Sequence, residues 1–565
     1  MNFKNFIFLF CLTFLSIKAQ DKKNYGRLFG GFETNAQRYL EFENDENSPE
    51  YFRSNNYLQL NYEIKKWTFG LQAESYTKQA LLNYYPGFDG TNLATYFAKY
   101  KSKKFEAIAG YFYEQYGSGM ILRAWEDRAL GINTALRGGK IFYKPINNIR
   151  IKAFYGQQRS GFNVSDGKLY GFDIEANLSD LFSFQESDLE IGFSNVNRYE
   201  KIDETLIPSP SFSPTTNAFS FRTSFVQGIF YSLLEANYKS KDATLNRITN
   251  AISNNFINDG SAIQLNLGIA KDGLGIDMTL RRTENMLFTS ERIPEAVGLN
   301  QSSLDYFDKV INFTPALTKQ HHSNLANIYV YQAQAGIEFK SNEIMKSGET
   351  GGQIDVVYDF AKDTKFGGKY GTKVALNYAS WYNLPGTYRA VPSKYETNFF
   401  GVGEKYFSDF NLEVKKQFSE NTRASFLYVN QYYNKPWVED ASHDVNTHIF
   451  YSELIYSFTK SKSIRIDVEH MWADADFKNW MGGSLEYNFN EKFSLYTLDL
   501  VNYGNNKDSE EKKKHYLTVG GAYRKGTTRI ALGYGRQRGG LVCVGGVCRF
   551  VPESTGISLS FNTAF

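Results

Sequence analysis

Charges of both signs crowd one stretch of this chain. From Glu114 to Lys140 it reads EQYGSGMILRAWEDRALGINTALRGGK, which places Glu114, Arg123, Glu126, Asp127, Arg128, Arg137 and Lys140 close together. Such a set can bind or screen ions, or its members can neutralise one another in pairs. Gly117, Gly119, Gly138 and Gly139 supply sharp backbone turns near its ends. The plain alternative is a solvated loop with ordinary surface charges. Bond-making chemistry is poorly provided for. There are six histidines: His321 and His322 adjoin an expected turn, His443 and His448 flank a loop, and His470 and His515 fall in alternating runs. No pair has metal-ligand spacing with a third ligand. Serines, histidines and acids are scattered, with no nucleophile, base and orienting group in a recognisable arrangement. The chain is therefore not expected to be an enzyme or to carry a cofactor.

The elements that must position these charges are strands. After an apolar run from Ile7 to Ile17, with Lys4 before it and Ala19 after it, no stretch is long and apolar enough for a membrane helix. That first run reads as a secretory signal, residues 1–19, cleaved after Ala19. The remainder, 20–565, reads as a single domain. Aromatic residues make up 16%, yet mean hydropathy is −0.44. A chain both polar and aromatic-rich suits strands with one apolar and one wet face. Leu58, Leu60, Tyr62 and Ile64 alternate with Gln59, Asn61, Glu63 and Lys65, and Trp67, Phe69, Leu71 and Ala73 continue the pattern beyond a Lys65-Lys66 turn. Ile464, Ile466 and Val468, then Leu485, Tyr487 and Phe489, repeat it.

Short turns (Lys101–Lys104, Lys271–Gly273, Asn490–Lys492, Arg524–Thr527) fall on one side of these hairpins. Longer polar segments fall on the other, about Asn35–Asn55, Asn197–Asn217, Asp242–Gly260, Asn383–Lys405 and Gly504–Lys514. That asymmetry predicts an all-β, transmembrane, antiparallel up-and-down barrel of about 26 strands (24–26), with short periplasmic turns and long extracellular loops. The count includes a hairpin turning at Pro315–Gln320. A soluble β-sandwich array is the competing architecture. The last strand sets Ile557, Leu559, Phe561, Thr563 and Phe565 on one face, with aromatic Phe561 and Phe565 as the signal for barrel-assembly machinery. Net charge is +3, with no basic or acidic tail, so nucleic acid is not an expected partner. Cys543 and Cys548 bracket Val-Gly-Gly-Val late in the chain and suit a small surface disulfide in an oxidising envelope, two free thiols being the alternative.

The Glu114–Lys140 stretch, taken with Lys365-Phe-Gly-Gly-Lys-Tyr-Gly-Thr-Lys373, resembles an uncharacterised outer-membrane barrel family of Bacteroidota over most of the mature chain. The resemblance implies a fold and the cell outer membrane as location, and brings no activity or site residues. With no plug-sized segment before the first strand, an energy-coupled receptor is not expected. Two functional expectations follow. One is a porin-like passive channel for hydrophilic solutes, with Glu114–Lys140 folded inward as a constriction. The other is a non-enzymatic barrel subunit of a secretion, assembly or surface-lipoprotein complex. The expected partners are outer-membrane lipid, the assembly machinery and, for the second reading, other envelope proteins.

Overall fold

The computed structural model describes residues 26–565 apart from 43–50, 78–79, 83–84, 86, 183, 185, 202–212, 245–256, 294, 298–302, 306–308, 340–343, 391–392, 440, 506–512 and 545–546. The signal segment 1–19 lies outside the described residues. The alternating runs become a 24-stranded antiparallel sheet. It closes on itself: the first strand, Arg27–Phe42, pairs with the last, Ser554–Ala564, from Gly31↔Ala564 to Phe42↔Ser554. Closure leaves no unpaired strand edge. An even count returns the chain to its starting end, where Gly30 and Phe565 exchange backbone hydrogen bonds of 2.9 and 3.0 Å.

The count lies at the lower end of the expected 24–26 for one reason. Strand Leu274–Glu284 pairs directly with Gly348–Phe360, so the hairpin expected at Pro315–Gln320 does not exist as barrel wall. That stretch of Asn, Ser, His and Tyr lacks the two-residue apolar period a lipid-facing strand needs. The described residues of 285–347 do something else, set out below. The loop expected over Asn35–Asn55 is also shorter than read, because the strands run on to Phe42 and begin again at Phe52.

The segregation of turns is as the sequence indicates. Lys65-Lys66, with Lys65 at φ 54°, and Gly526-Thr527, with Gly526 at φ 60°, make tight hairpins at one end. Two larger connections share that end, one with the short helix Leu178–Phe182, the other residues 361–371. One tight turn, Gly161-Phe162, lies at the long-loop end.

The burial pattern is inverted relative to a water-soluble protein. Phe69, Leu71, Ile466, Val468 and Leu485 are exposed, whereas Gln72, Glu74, Asp467 and Glu469 between them are buried. Apolar side chains therefore face outward and polar ones inward, the pattern that a hydrocarbon surround demands. Leu532, 56% exposed, sits on that outer face. Replacing it with Arg (L532R) is expected to destabilise the barrel by about 2–4 kcal/mol in lipid. Reversible urea unfolding in vesicles measures this, and unchanged stability would place Leu532 away from hydrocarbon.

Candidate functional site: two inserts fill one end of the lumen

Strands Phe105–Phe112 and Leu136–Tyr143 pair from Phe112↔Leu136 onward, so residues 113–135 leave the wall and re-enter it at one place. Gly117 (φ 54°) and Gly119 (φ 100°) turn the chain inward. The side chains of this first insert then reach separate parts of the wall. Arg128 donates to Glu33 at 3.0 Å and to Gln72 at 2.9 Å, and lies 4.7 Å over the Tyr57 ring. The backbone N–H of Ser118 donates to Glu235 at 3.0 Å, on the strand Phe230–Asp242. An element that touches both must cross the lumen.

Most of the charges selected from sequence find partners inside the lumen, each in its own place. Glu126 accepts from Gln72 at 2.9 Å and Asn133 at 3.1 Å. Asp127 caps its own turn by accepting the Leu130 N–H at 3.1 Å. Glu114 takes Lys140 at 3.1 Å and faces Lys152 at 3.7 Å. Arg123 is held between the rings of Trp125 (4.4 Å) and Phe313 (4.0 Å). Burial pushes its guanidinium below its ordinary pKa, with Asp127 opposing the shift. Arg137 does not join them. Its neighbours Leu136 and Lys140 face inward or into the insert, and strand alternation turns the exposed Arg137 outward, in register with Tyr111.

The larger part of the site is the second insert, the described residues of 285–347, where the sequence suggests a wall hairpin turning at Pro315–Gln320. It is knitted to the first by backbone: Arg123 N–H donates to Ile311 O at 2.7 Å, and Phe313 N–H to Gly119 O at 2.9 Å. Asn312 adds donations to the carbonyls of Met120 (3.0 Å) and Met286 (2.7 Å). Further on, Tyr331 stacks on Phe407 at 5.3 Å, beside Trp381 and Tyr406, and its hydroxyl donates to Glu349. Burial and the Glu349 carboxylate hold the Tyr331 phenol well above its ordinary pKa. Glu349 is completed by Arg281 at 2.5 Å. Glu469 receives Ser323 Oγ at 2.5 Å, Asn324 at 3.1 Å and the Leu325 N–H at 3.2 Å. His321 meets Asp409 at 2.9 Å, where Gln431 and Asn411 also donate.

The walls carry buried ion pairs at this level: Arg159 with Glu74, Arg222 with Asp173, and Arg198 with Asp242, which Arg292 of the second insert shares. Removing such charges from water is costly unless each is paired and hydrogen-bonded, as these are. Sequence reading missed them because the partners of each pair lie far apart along the chain and meet only once strand register is set. The signal each leaves is an ionisable residue at an inward strand position, as Glu74 and Arg159 are. Toward the short turns the lumen is wet. The side chains of Arg150, Glu190, Arg465 and Glu486 are 41, 32, 37 and 38% exposed. The interior is thus a cup, filled toward the long loops and open toward the short turns.

Near the chain end, hairpin strands Gly540–Val544 and Val547–Val551 set Cys543 directly opposite Cys548. The side chains of this hairpin lie outside those described. Phe561 packs beside Phe32, 6.0 Å between ring centres, on the outer face of the closing strand.

Fold and site together define a closed β-barrel with a lipid-type exterior and an interior filled by its own loops. The chain belongs to the family whose model is described as "Family of unknown function (DUF6029)", which matches residues 2–565. No curated protein matches it. Among solved structures it is similar to the siderophore receptor PirA from Pseudomonas aeruginosa, with 7% identity and TM-score 0.40 over 96% of this chain and 81% of that one. It is similar also to the copper transporter OprC, with 9% identity and TM-score 0.40 over 97% and 82% of the two chains. A third is OccK3 (OpdO) from Pseudomonas aeruginosa, with 9% identity and TM-score 0.35 over 95% of both.

Proposed function

We propose that this protein is an outer-membrane passive channel for small hydrophilic solutes, narrowed from within by its two inserts. The observation that carries the reading is the inverted burial pattern combined with a polar, partly water-exposed lumen. Barrels of this strand number leave a wide lumen, which is either an aqueous channel or plugged. Here internal loops take up part of that width, and Glu114, Arg123, Glu126, Asp127, Arg128 and Lys140 serve as part of the constriction. The chain enters the envelope through its signal segment, is cleaved after Ala19, and is inserted by assembly machinery that reads the Phe561 and Phe565 face.

Planar-bilayer recording of the purified, folded barrel tests the reading. Small, solute-limited conductance steps support it, and a folded barrel that never conducts overturns it. The second reading, a scaffold subunit, is favoured by the buried ion pairs that lock the inserts. Its expected signature is a partner protein co-purifying in mild detergent with a barrel that does not conduct.

Cys543 and Cys548 are expected to be bonded in the secreted protein, since directly opposed antiparallel positions lie within the Cα separation that a disulfide spans. Peptide mapping without reduction checks this. Recovery of a linked peptide supports the bond, and quantitative alkylation of both thiols in the non-reduced protein contradicts it.

A further inference from the structure

The inserts sit off-centre. They engage inward residues from Glu33 and Gln72, through Asp409, to Glu469. Among the described residues, neither insert makes a hydrogen bond or ion pair to strands Thr518–Lys525, Thr528–Gln537 or Ser554–Ala564. The inner wall there is small and uncharged. Gly520, Ala522, Gly533, Ser558 and Ser560 share one face with Tyr496. A Cβ added at Gly533 would come 2.9 Å from Ser558 Oγ and 3.1 Å from the Tyr496 hydroxyl, which confirms that these residues line a common surface. The opposite face of the same strands carries the exposed Leu532, Tyr534 and Ile557 and looks outward.

This wall is also open. Six residues in from the short-turn end of its strand, Ser558 is exposed. Asn411 stands equally far along its own strand and is 0% exposed, and Asp467 and Gln72, nearby in height, are 3% and 5% exposed. Tyr496, also inward, is 38% exposed. Water therefore follows this wall to a depth where the inserts exclude it elsewhere.

The charge along the wall is one-sided. At its short-turn end Arg524 and Arg529 stand directly opposite each other in register. Both are exposed, and neither has an ion-pair partner among the described residues. Like charges facing across strands are destabilising, so this pair costs stability without a structural return.

We infer that solutes pass along the wall of strands 518–525, 528–537 and 554–564, beside the inserts, and that the route selects small anions. This rests on the channel reading above. Arginine pairs at a mouth raise the local concentration of anions, and the neutral wall beyond lets them move on without being trapped.

The test is single-channel recording in a potassium chloride gradient. The wild-type barrel, the R524E/R529E variant and S558C are compared before and after a bulky thiol reagent, with reagent-treated wild type as control for Cys543 and Cys548. Expected results are an anion-selective reversal potential, its inversion toward cations in R524E/R529E, and loss of most of the conductance when S558C is modified. A conducting wild type whose selectivity ignores the charge swap, or whose conductance ignores modified S558C, overturns this route and leaves the channel reading standing. A wild type that never conducts overturns both. Should S558C fail to fold, the charge-swap arm still decides.

Discussion

Arg159→Ala is expected to cost the folded barrel about 3–5 kcal/mol, the range for stripping one partner from a buried ion pair. Arg159 and Glu74 are both fully buried and meet through two hydrogen bonds of 2.8 and 2.5 Å. Glu74 also accepts Gln72 at 2.8 Å and the Tyr76 hydroxyl at 2.7 Å, while Arg159 Nε donates to Gly161 O at 2.7 Å. Removing the guanidinium leaves a carboxylate whose remaining donors, an amide and a phenol, cannot balance its charge. The loss should fall sharply in a double variant that replaces both residues with apolar ones, since the stranded charge is then gone. Urea unfolding of the single and double variants in vesicles checks this. A single-variant loss under about 1 kcal/mol, the scale of an exposed pair, would mean that water reaches the site.

Excising the core of the second insert should change conductance more than any point substitution. Residues 314–334 are the segment to replace with a short Gly/Ser linker. Their ends are held close: Ile311 N–H donates to Phe288 O at 2.9 Å, and Met286 N–H to Ala335 O at 2.8 Å, so the strand ends at Glu284 and Gly348 need not move. The excision removes Tyr331 from its aromatic stack and frees the carboxylates of Asp409 and Glu469 into the lumen. Because lumen width grows with strand number, the unfilled barrel should conduct several times more than the wild type and admit larger solutes. Freed acids should also shift its selectivity toward cations. Bilayer recording and liposome swelling with sugars of increasing size measure both effects. A folded excision variant that conducts no better than wild type would contradict the reading of this insert as the constriction.

The outer wall was far more legible in the sequence than the interior. Strand alternation is a local signal, and runs such as Leu58–Ala73 carry it without help from distant residues. Closure was legible because the last strand ends on an outward aromatic set. The first insert shows itself by charge density, but its charges find separate partners, Glu114 with Lys140, Arg128 with Glu33 and Arg123 with aromatic rings, while Arg137, one residue inside a strand, lies on the other face. The second insert was illegible for a physical reason. Its stability comes from long-range partners such as Glu349, Asp409 and Glu469, and each of these looks like an ordinary wall residue until register aligns it. Periodicity cannot report a segment that has no period, so the sequence suggests an extra hairpin turning at Pro315–Gln320 and a count nearer 26. The uncharged wall of strands 518–525, 528–537 and 554–564 was equally invisible, because among the described residues it is marked by contacts to the inserts that those strands lack.

The central claim is that residues 116–124 and 309–335 are packed inside the barrel rather than spread over its rim. Hydrogen–deuterium exchange of the folded protein in detergent or nanodiscs tests it most directly. Packed inserts with hydrogen-bonded backbones exchange slowly, while surface loops exchange almost freely. Protection of both segments close to that of strands such as Thr422–Tyr433 is the predicted result. Exchange as fast as in an exposed connection such as 418–421 would contradict it.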